Sequence, residues 1–266
     1  MRSVAVAVAF LAAAALAPSA LAFERSTVTD DPTTPLYWRY RWVHVRAAAD
    51  SCADVPEGPV ALAVDRAVAT WNLAAEGCSD FRLFHDGPPS GLSTNLDRGA
   101  HDGENRIVWR EDEWPDEPEV LALTTVVYRV STGQILDADI DLNGVHHYWT
   151  DTTEPGSAAT DVENTLTHEL GHLIGLAHAV DPEATMYPES APGDLEKRSL
   201  SADDIGGICY VYPAGLITPE APFPRGMPLQ GTCSAAPPGG AASSAWLAGL
   251  SLVLLLGRRA RGRPLT

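Results

Sequence analysis

Hydrophobic and polar positions change period several times along the 266-residue chain, and each change marks an element. Leu36 to Val45 (LYWRYRWVHV) alternates bulky and polar residues, the two-residue period of a sheet strand, and is expected to be the first strand. From Pro59 to about Glu76 the spacing becomes three and four: Val60, Val64, Ala67, Val68 and Trp71 line one face, as in an amphipathic helix packed on a core. FRLFH (81–85) and NRIVW (105–109) read as two further strands with a loop between them. LALTTVVYRV and QILDADIDLNG flank Ser131-Thr132-Gly133, which reads as a hairpin with a glycine-containing turn. In its second arm Asp137, Asp139 and Asp141 alternate with Ala138, Ile140 and Leu142, so one face is acidic; a solvated face is expected, and no EF-hand spacing supports calcium.

Thr160 and Glu163 have the spacing of a capping box, so a helix is expected to open near Thr160. Val162, Leu166, Leu170, Leu173 and Ile174 give it a buried side, and Gly175 offers the chain a way out. SADDIGGICYVYP (201–213) reads as a last helix that starts at Ser201 and stops near Pro213.

The two ends depart from this globular pattern. Residues 1–22 carry Arg2, an apolar run from Val4 to Leu16, Pro18 and the triplet Ala20-Leu21-Ala22, the pattern of a cleavable secretory signal. The run falls short of the ~20 residues that span a bilayer. Residues 23–213 then form the expected domain, followed by a proline-rich linker at 214–232. Residues 233–266 hold Cys233, a spacer of small residues, the apolar stretch Ala245–Leu256, and Arg258, Arg259, Arg261 and Arg263. This tail resembles the C-terminal sorting signals of myxobacterial surface proteins, with Cys233 as the processing or anchoring point; a plain single-pass tail is the other reading. In either case the arginines stay cytoplasmic and the domain outside, secreted or anchored at the cell surface.

Charge and cysteines narrow the partners. Formal net charge is −17, and setting aside Arg2 and the four tail arginines leaves −22. With Lys197 as its single lysine and no basic stripe, the chain lacks the electrostatic footprint of a nucleic-acid binder. The chain is expected to be a monomer that meets the membrane only through its tail. Cys52, Cys78, Cys209 and Cys233 in an exported chain suggest disulfides; Cys52 with Cys78, bracketing the first helix, is the favoured pair, with Cys209 unassigned.

The chemistry is concentrated in HELGHLIGLAH (168–178). His168 and His172, four apart on a helix, present both imidazoles on one face. Glu169 is rotated ~100° from His168, so its carboxylate can lie beside a metal rather than on it. Gly175 can reverse the chain and return His178 as a third ligand. Three neutral imidazoles and an open fourth position describe catalytic zinc, whose bound water is acidified to a pKa near ~7. Glu169 would take the proton of that water and deliver it to the leaving amine. HExxHxxGxxH in this context is a specific signal, whereas HExxH alone is not. His44, His85, His101, His146 and His147 lack such spacing, although the 146–147 pair could touch substrate.

HELGHLIGLAH, with Met186 in ATMYP, resembles the metzincin zinc endopeptidases and, within them, the matrixins. WNLA (71–74), GQILDADIDLNG, MYP and LSADDIGGICYVY extend the resemblance over about residues 36–213. It implies an α+β fold: a twisted mixed β-sheet, about three helices, a zinc helix and a Met-turn in which Met186 is an apolar floor, not a ligand. It also implies a cleft with a protein or peptide substrate along the sheet edge, one catalytic Zn2+ and zinc-dependent endopeptidase activity; calcium is an option the residues do not support. Ala179 stands where matrixins usually carry serine or threonine, which leaves a pappalysin-like metzincin open. The competing class is a surface-anchored binding or adhesion module that keeps the zinc site for structure; the presence of Glu169 argues against it.

Overall fold

The computed structural model describes residues 23–97, 102–152, 158–216 and 248–257. The expected signal segment, His101, linker residues 217–232, Cys233 and the tail arginines lie outside the described residues. A hairpin of β1 (Thr27–Val28) and β2 (Asp31–Pro35) leads to β3 (Tyr37–Trp38) and β4 (Trp42–Ala47). Helix α1 (Glu57–Ala74) crosses to β5 (Arg82–His85), followed by β6 (Asn105–Arg110), β7 (Val120–Arg129) and β8 (Gln134–Asn143). A small parallel pair, β9 (Trp149–Thr150) and β10 (Thr160–Asp161), precedes α2 (Val162–Ile174). Then come β11 (Glu189–Ser190), α3 (Ala202–Val211) and β12 (Ala248–Gly257).

The main sheet runs β11-β12-β7-β8-β6-β4-β5, with β3 pairing beside it on β8. β5, β4, β6 and β8 are mutually parallel, while β7 is antiparallel to β8. A parallel neighbour needs a crossover, and α1 supplies it between β4 and β5. Val43, Val45, Ile107, Ile140 and Leu142 meet Val60, Val64 and Trp71 of α1 and Leu166 and Leu170 of α2 in one buried cluster. The result is the mixed sheet with three helices that the α+β reading expected. No helix among the described residues is long and apolar enough to cross a membrane, and residues 248–257 of the apolar tail lie in the sheet as β12.

Four expectations are corrected. The alternating stretch 36–45 is not one strand: it bends at 39–41, because Tyr37 and Trp38 pair with β8 whereas β4 pairs with β5 and β6. Alternation reports faces, not which neighbour supplies the ladder. The α2 cap is Asp161, which accepts from the Asn164 amide at 2.7 Å, rather than Thr160; Glu163 pairs instead with Arg66. The disulfide joins Cys78 to Cys209, and Cys52 is free and buried. It ties the end of α1 to α3 across 131 residues, a proximity that only the packed fold creates.

The acidic face of β8 is the fourth. Asp137, Asp139 and Asp141 are each 0% exposed, roofed by the segment before β6. Asp137 accepts from the amides of Asp102 and Gly103, and Asp139 from those of Arg106 (2.7 Å) and Asn95 (2.8 Å). Asp141 takes the Arg110 guanidinium at 2.6 Å and the Thr94 hydroxyl. The carboxylates thus supply the acceptors that a covering loop's backbone amides need once water is gone.

Two measurements follow. Replacing Cys78 and Cys209 by serine should cost about 2–4 kcal/mol in denaturant unfolding, because the open chain regains the entropy of a long loop. Burial, with Asp137 and Asp141 adding repulsion, raises the Asp139 pKa to about 7. A raised carboxyl contributes stability that is present at low pH and lost as pH rises through about 7. The melting temperature of the parent relative to Asp139→Asn should therefore fall between pH 5 and pH 8; a constant difference would contradict the shift.

Candidate metal centre

All thirteen residues of α2 are buried, so its two termini must find partners inside the protein. At the C-terminal end the Trp38 indole donates to the Leu173 carbonyl at 2.7 Å and the Tyr212 hydroxyl to the Ile174 carbonyl at 2.6 Å. Gly175 closes the helix at φ 105°, where a Cβ would stand 3.0 Å from the Leu36 carbonyl oxygen. That left-handed residue turns the chain so that residues 176–178 come back along the helix.

His168, His172 and His178 converge: one ring nitrogen from each lies within 4.8 Å of the others, and the Nε2 atoms of His168 and His172 are 3.1 Å apart. His168 Nδ1 donates to the Thr185 carbonyl at 2.6 Å, and His172 Nδ1 to the Leu176 carbonyl at 2.8 Å. A carbonyl can only accept, so each Nδ1 carries the proton and each Nε2 keeps a lone pair. The Nε2 of His178 is buried without a hydrogen-bond partner. Burial holds His168 and His172 well below the ordinary histidine pKa, helped at His168 by Lys197 and at His172 by His178; burial and Lys197 lower His178 to about 4. Three neutral imidazoles in a dry pocket fit a borderline-soft cation such as zinc.

Glu169 sits beside the trio, fully buried, with Oε2 held by the Thr124 hydroxyl of β7 at 2.5 Å and Oε1 without a partner. Burial pushes its carboxyl up to about 8, against the pull of Thr124 and Lys197. Met186 lies beneath, packed so closely on Gly171 that a Cβ there would collide with its Sδ and with Trp71. The turn carrying Met186 is pinned by Asp204 of α3, whose carboxylate accepts the amides of Thr185 (2.8 Å), Met186 (3.0 Å) and Ser201 (2.8 Å).

Sequence reasoning missed Thr124, Thr185 and Asp204. Asp204 left a signal, since Ser201-x-x-Asp204 forms the α3 capping box, but nothing local said that its second oxygen reaches Met186. The remaining described histidines stand elsewhere: His44 on Asp86, His85 on Asp65, His146 with its backbone amide on the Asn143 side chain, and His147 on the Pro118 carbonyl.

Residues 106–213 match the family model described as Matrixin. This segment is similar to the matrixins. Neutrophil collagenase of Homo sapiens is 40% identical over 137 residues, which cover 48% of this chain and 28% of the relative. Matrilysin of Homo sapiens is 41% identical over 73 residues, 27% of each chain. Metalloendoproteinase 1 of Glycine max is 46% identical over 61 residues, 23% of this chain and 20% of the relative. The chain thus spans between 20% and 28% of the length of these curated relatives. The matched segment holds β7, β8, α2, the Met186 turn and α3.

Gly171 tests how tightly this floor is built. Gly171→Ala should destabilise the protein by about 1–3 kcal/mol through overpacking against Met186 and Trp71. Gly58→Ala, where the added carbon meets nothing within 4 Å, is the control and should be neutral or slightly stabilising. Both are read from denaturant midpoints.

Proposed function

We propose that this chain is an exported zinc endopeptidase, with His168, His172 and His178 as metal ligands and Glu169 as general base. One observation carries the reading: three imidazoles with their nitrogens converging, two of them locked by carbonyls, beside a buried carboxylate with one oxygen uncommitted. Zinc held there would supply a Lewis acid that polarises the scissile carbonyl and acidifies water. A cation held by the histidines would favour the ionised form of Glu169; fixed through Oε2 by Thr124, Glu169 would then leave Oε1 to take the proton of the attacking water and return it to the leaving amine. Met186 and Asp204 keep the histidine floor from shifting, which matters because misplacement by ~1 Å can cost ~100-fold in rate.

An extended peptide fits the edge of β7. β12 takes that lane in the structure, antiparallel to β7 and parallel to Glu189–Ser190, with Val253 opposite Thr124. A substrate strand in the same lane would pass Glu169 and would have to displace β12. Export and surface anchoring rest on the signal-like first 22 residues and the sorting-type tail, and the Cys78–Cys209 disulfide agrees with an oxidising compartment.

The deciding variant is Glu169→Ala. It should retain one zinc per chain by elemental analysis while losing about 10²–10⁴-fold in peptide cleavage, because only the proton acceptor is removed. An undiminished rate would sink the mechanism. A parent protein that binds zinc yet cleaves nothing in a diverse peptide library would instead favour the adhesion module.

A further inference from the structure

Behind His168 lies a cavity of about 260 Å³ whose lining includes Thr185, Tyr187, Glu189, Ser190, Asp194 and Lys197. It is smaller than the ~300–1,000 Å³ typical of sites for whole drug-sized ligands, and suits a single side chain. Its boundaries are the Met186 turn and the same Glu189–Ser190 segment that pairs with an extended strand. A peptide passing the metal site in that lane would therefore lower one side chain into it.

The cavity contains the chain's one lysine, 7% exposed. Lys197 is rigidly seated: its amide donates to the Asn164 side chain of α2 at 2.8 Å, and that side chain in turn donates to the Ser190 hydroxyl at 3.1 Å. The ammonium donates to the carbonyls of Thr185, at 3.1 Å, and Tyr187. Its remaining neighbour is His168 Nδ1 at 3.3 Å. That nitrogen cannot accept from Lys197, because in the metal-ready tautomer it carries its own proton and gives it to Thr185.

One ammonium hydrogen is thus left without an acceptor, and no carboxylate among the described residues forms an ion pair with it. The acids that feel its charge are engaged elsewhere: Glu169 with Thr124, Asp204 with the Met186 turn, and Asp194 with the Ala191 amide. Glu183 and Glu196 line the cavity from exposed positions, where solvent screens them, and half-buried Glu189 lines it with an interaction of its own. A buried cation with an unused donor is expensive unless a guest supplies the acceptor.

Building on the endopeptidase reading, we infer that Lys197 is a specificity-determining residue: it selects substrates whose side chain next to the scissile bond ends in an oxygen acceptor, of glutamate or glutamine length. A lysine or arginine guest would meet like charge at the floor. A leucine guest would leave the ammonium unsatisfied, the kind of mismatch that hydrogen-bonding pockets reject strongly.

The test uses the zinc-loaded full chain and peptide sets that differ only in the residues flanking the cleaved bond: Glu, Gln, Leu or Lys. The parent should show kcat/KM for Glu or Gln at least tenfold above Leu, and higher still above Lys; comparing Glu with Gln separates charge from acceptor recognition. Lys197→Met should abolish the preference, and Lys197→Arg should restore it. A loss of rate common to all peptides would show only that the Met186 turn had moved, so the selectivity ratio is the readout. Binding of the same peptides to Glu169→Ala, followed by fluorescence anisotropy, should show the same ranking without turnover. Leucine or lysine preferred by the parent, or a ratio unchanged in Lys197→Met, overturns the inference; should that variant not fold, the parent's ratio and its anisotropy ranking decide. Acceptor-selective binding without cleavage of any peptide by the parent would mark failure of the endopeptidase reading instead.

Discussion

The structure depends on burying a polar helix. Every residue of α2 is out of solvent, including His168, Glu169 and His172, so each imidazole N–H must find an acceptor within the protein. The carbonyls of Thr185 and Leu176 are those acceptors, and both belong to the backbone that follows the helix. Satisfying them fixes ring orientation and tautomer together, and the same bonds that make burial tolerable turn the Nε2 atoms toward one another. Convergence of His168 and His172 is thus a by-product of hydrogen-bond satisfaction in a buried helix, and the left-handed turn at Gly175 returns half-buried His178 to them.

That arrangement explains why distant segments are tied so firmly. The helix end is completed by Trp38 of β3 and Tyr212 from after α3. The Met186 turn is held by Asp204 and floored against Gly171, and the Thr185 carbonyl on that turn orients His168. Cys78–Cys209 closes the far side, joining the end of α1 to α3. A displacement of Asp204 or of the Met186 turn would reach His168 through the hydrogen bonds of Thr185, which argues for a site preorganised by the fold.

Much of this was legible in advance, for a physical reason. Periodicity reports burial, so α1 and α3 and the β7–β8 hairpin were found within a few residues of their observed bounds. HExxHxxGxxH was legible because its geometry is local: a four-residue helical spacing and one left-handed glycine. The acidic strand was misjudged because alternation cannot tell solvent from a covering loop. Asp139 looks surface-like in sequence, yet the roof that buries it is made by amides some forty residues away. The disulfide was misassigned because sequence proximity favoured Cys52, whereas Cys209 approaches only after α3 docks.

By itself, then, the sequence determined the donor set, the helix that displays it and the glycine that returns His178, since all three follow from local backbone geometry. Tertiary structure alone decided which carbonyl each histidine serves, that Thr124 and Asp204 support the site, and that the only lysine stands buried at the cavity beside it. Those are contacts between segments far apart in the chain. Their partners are chosen by packing and by the need to satisfy every buried polar group, and no residue's nearest neighbours in sequence carry that information.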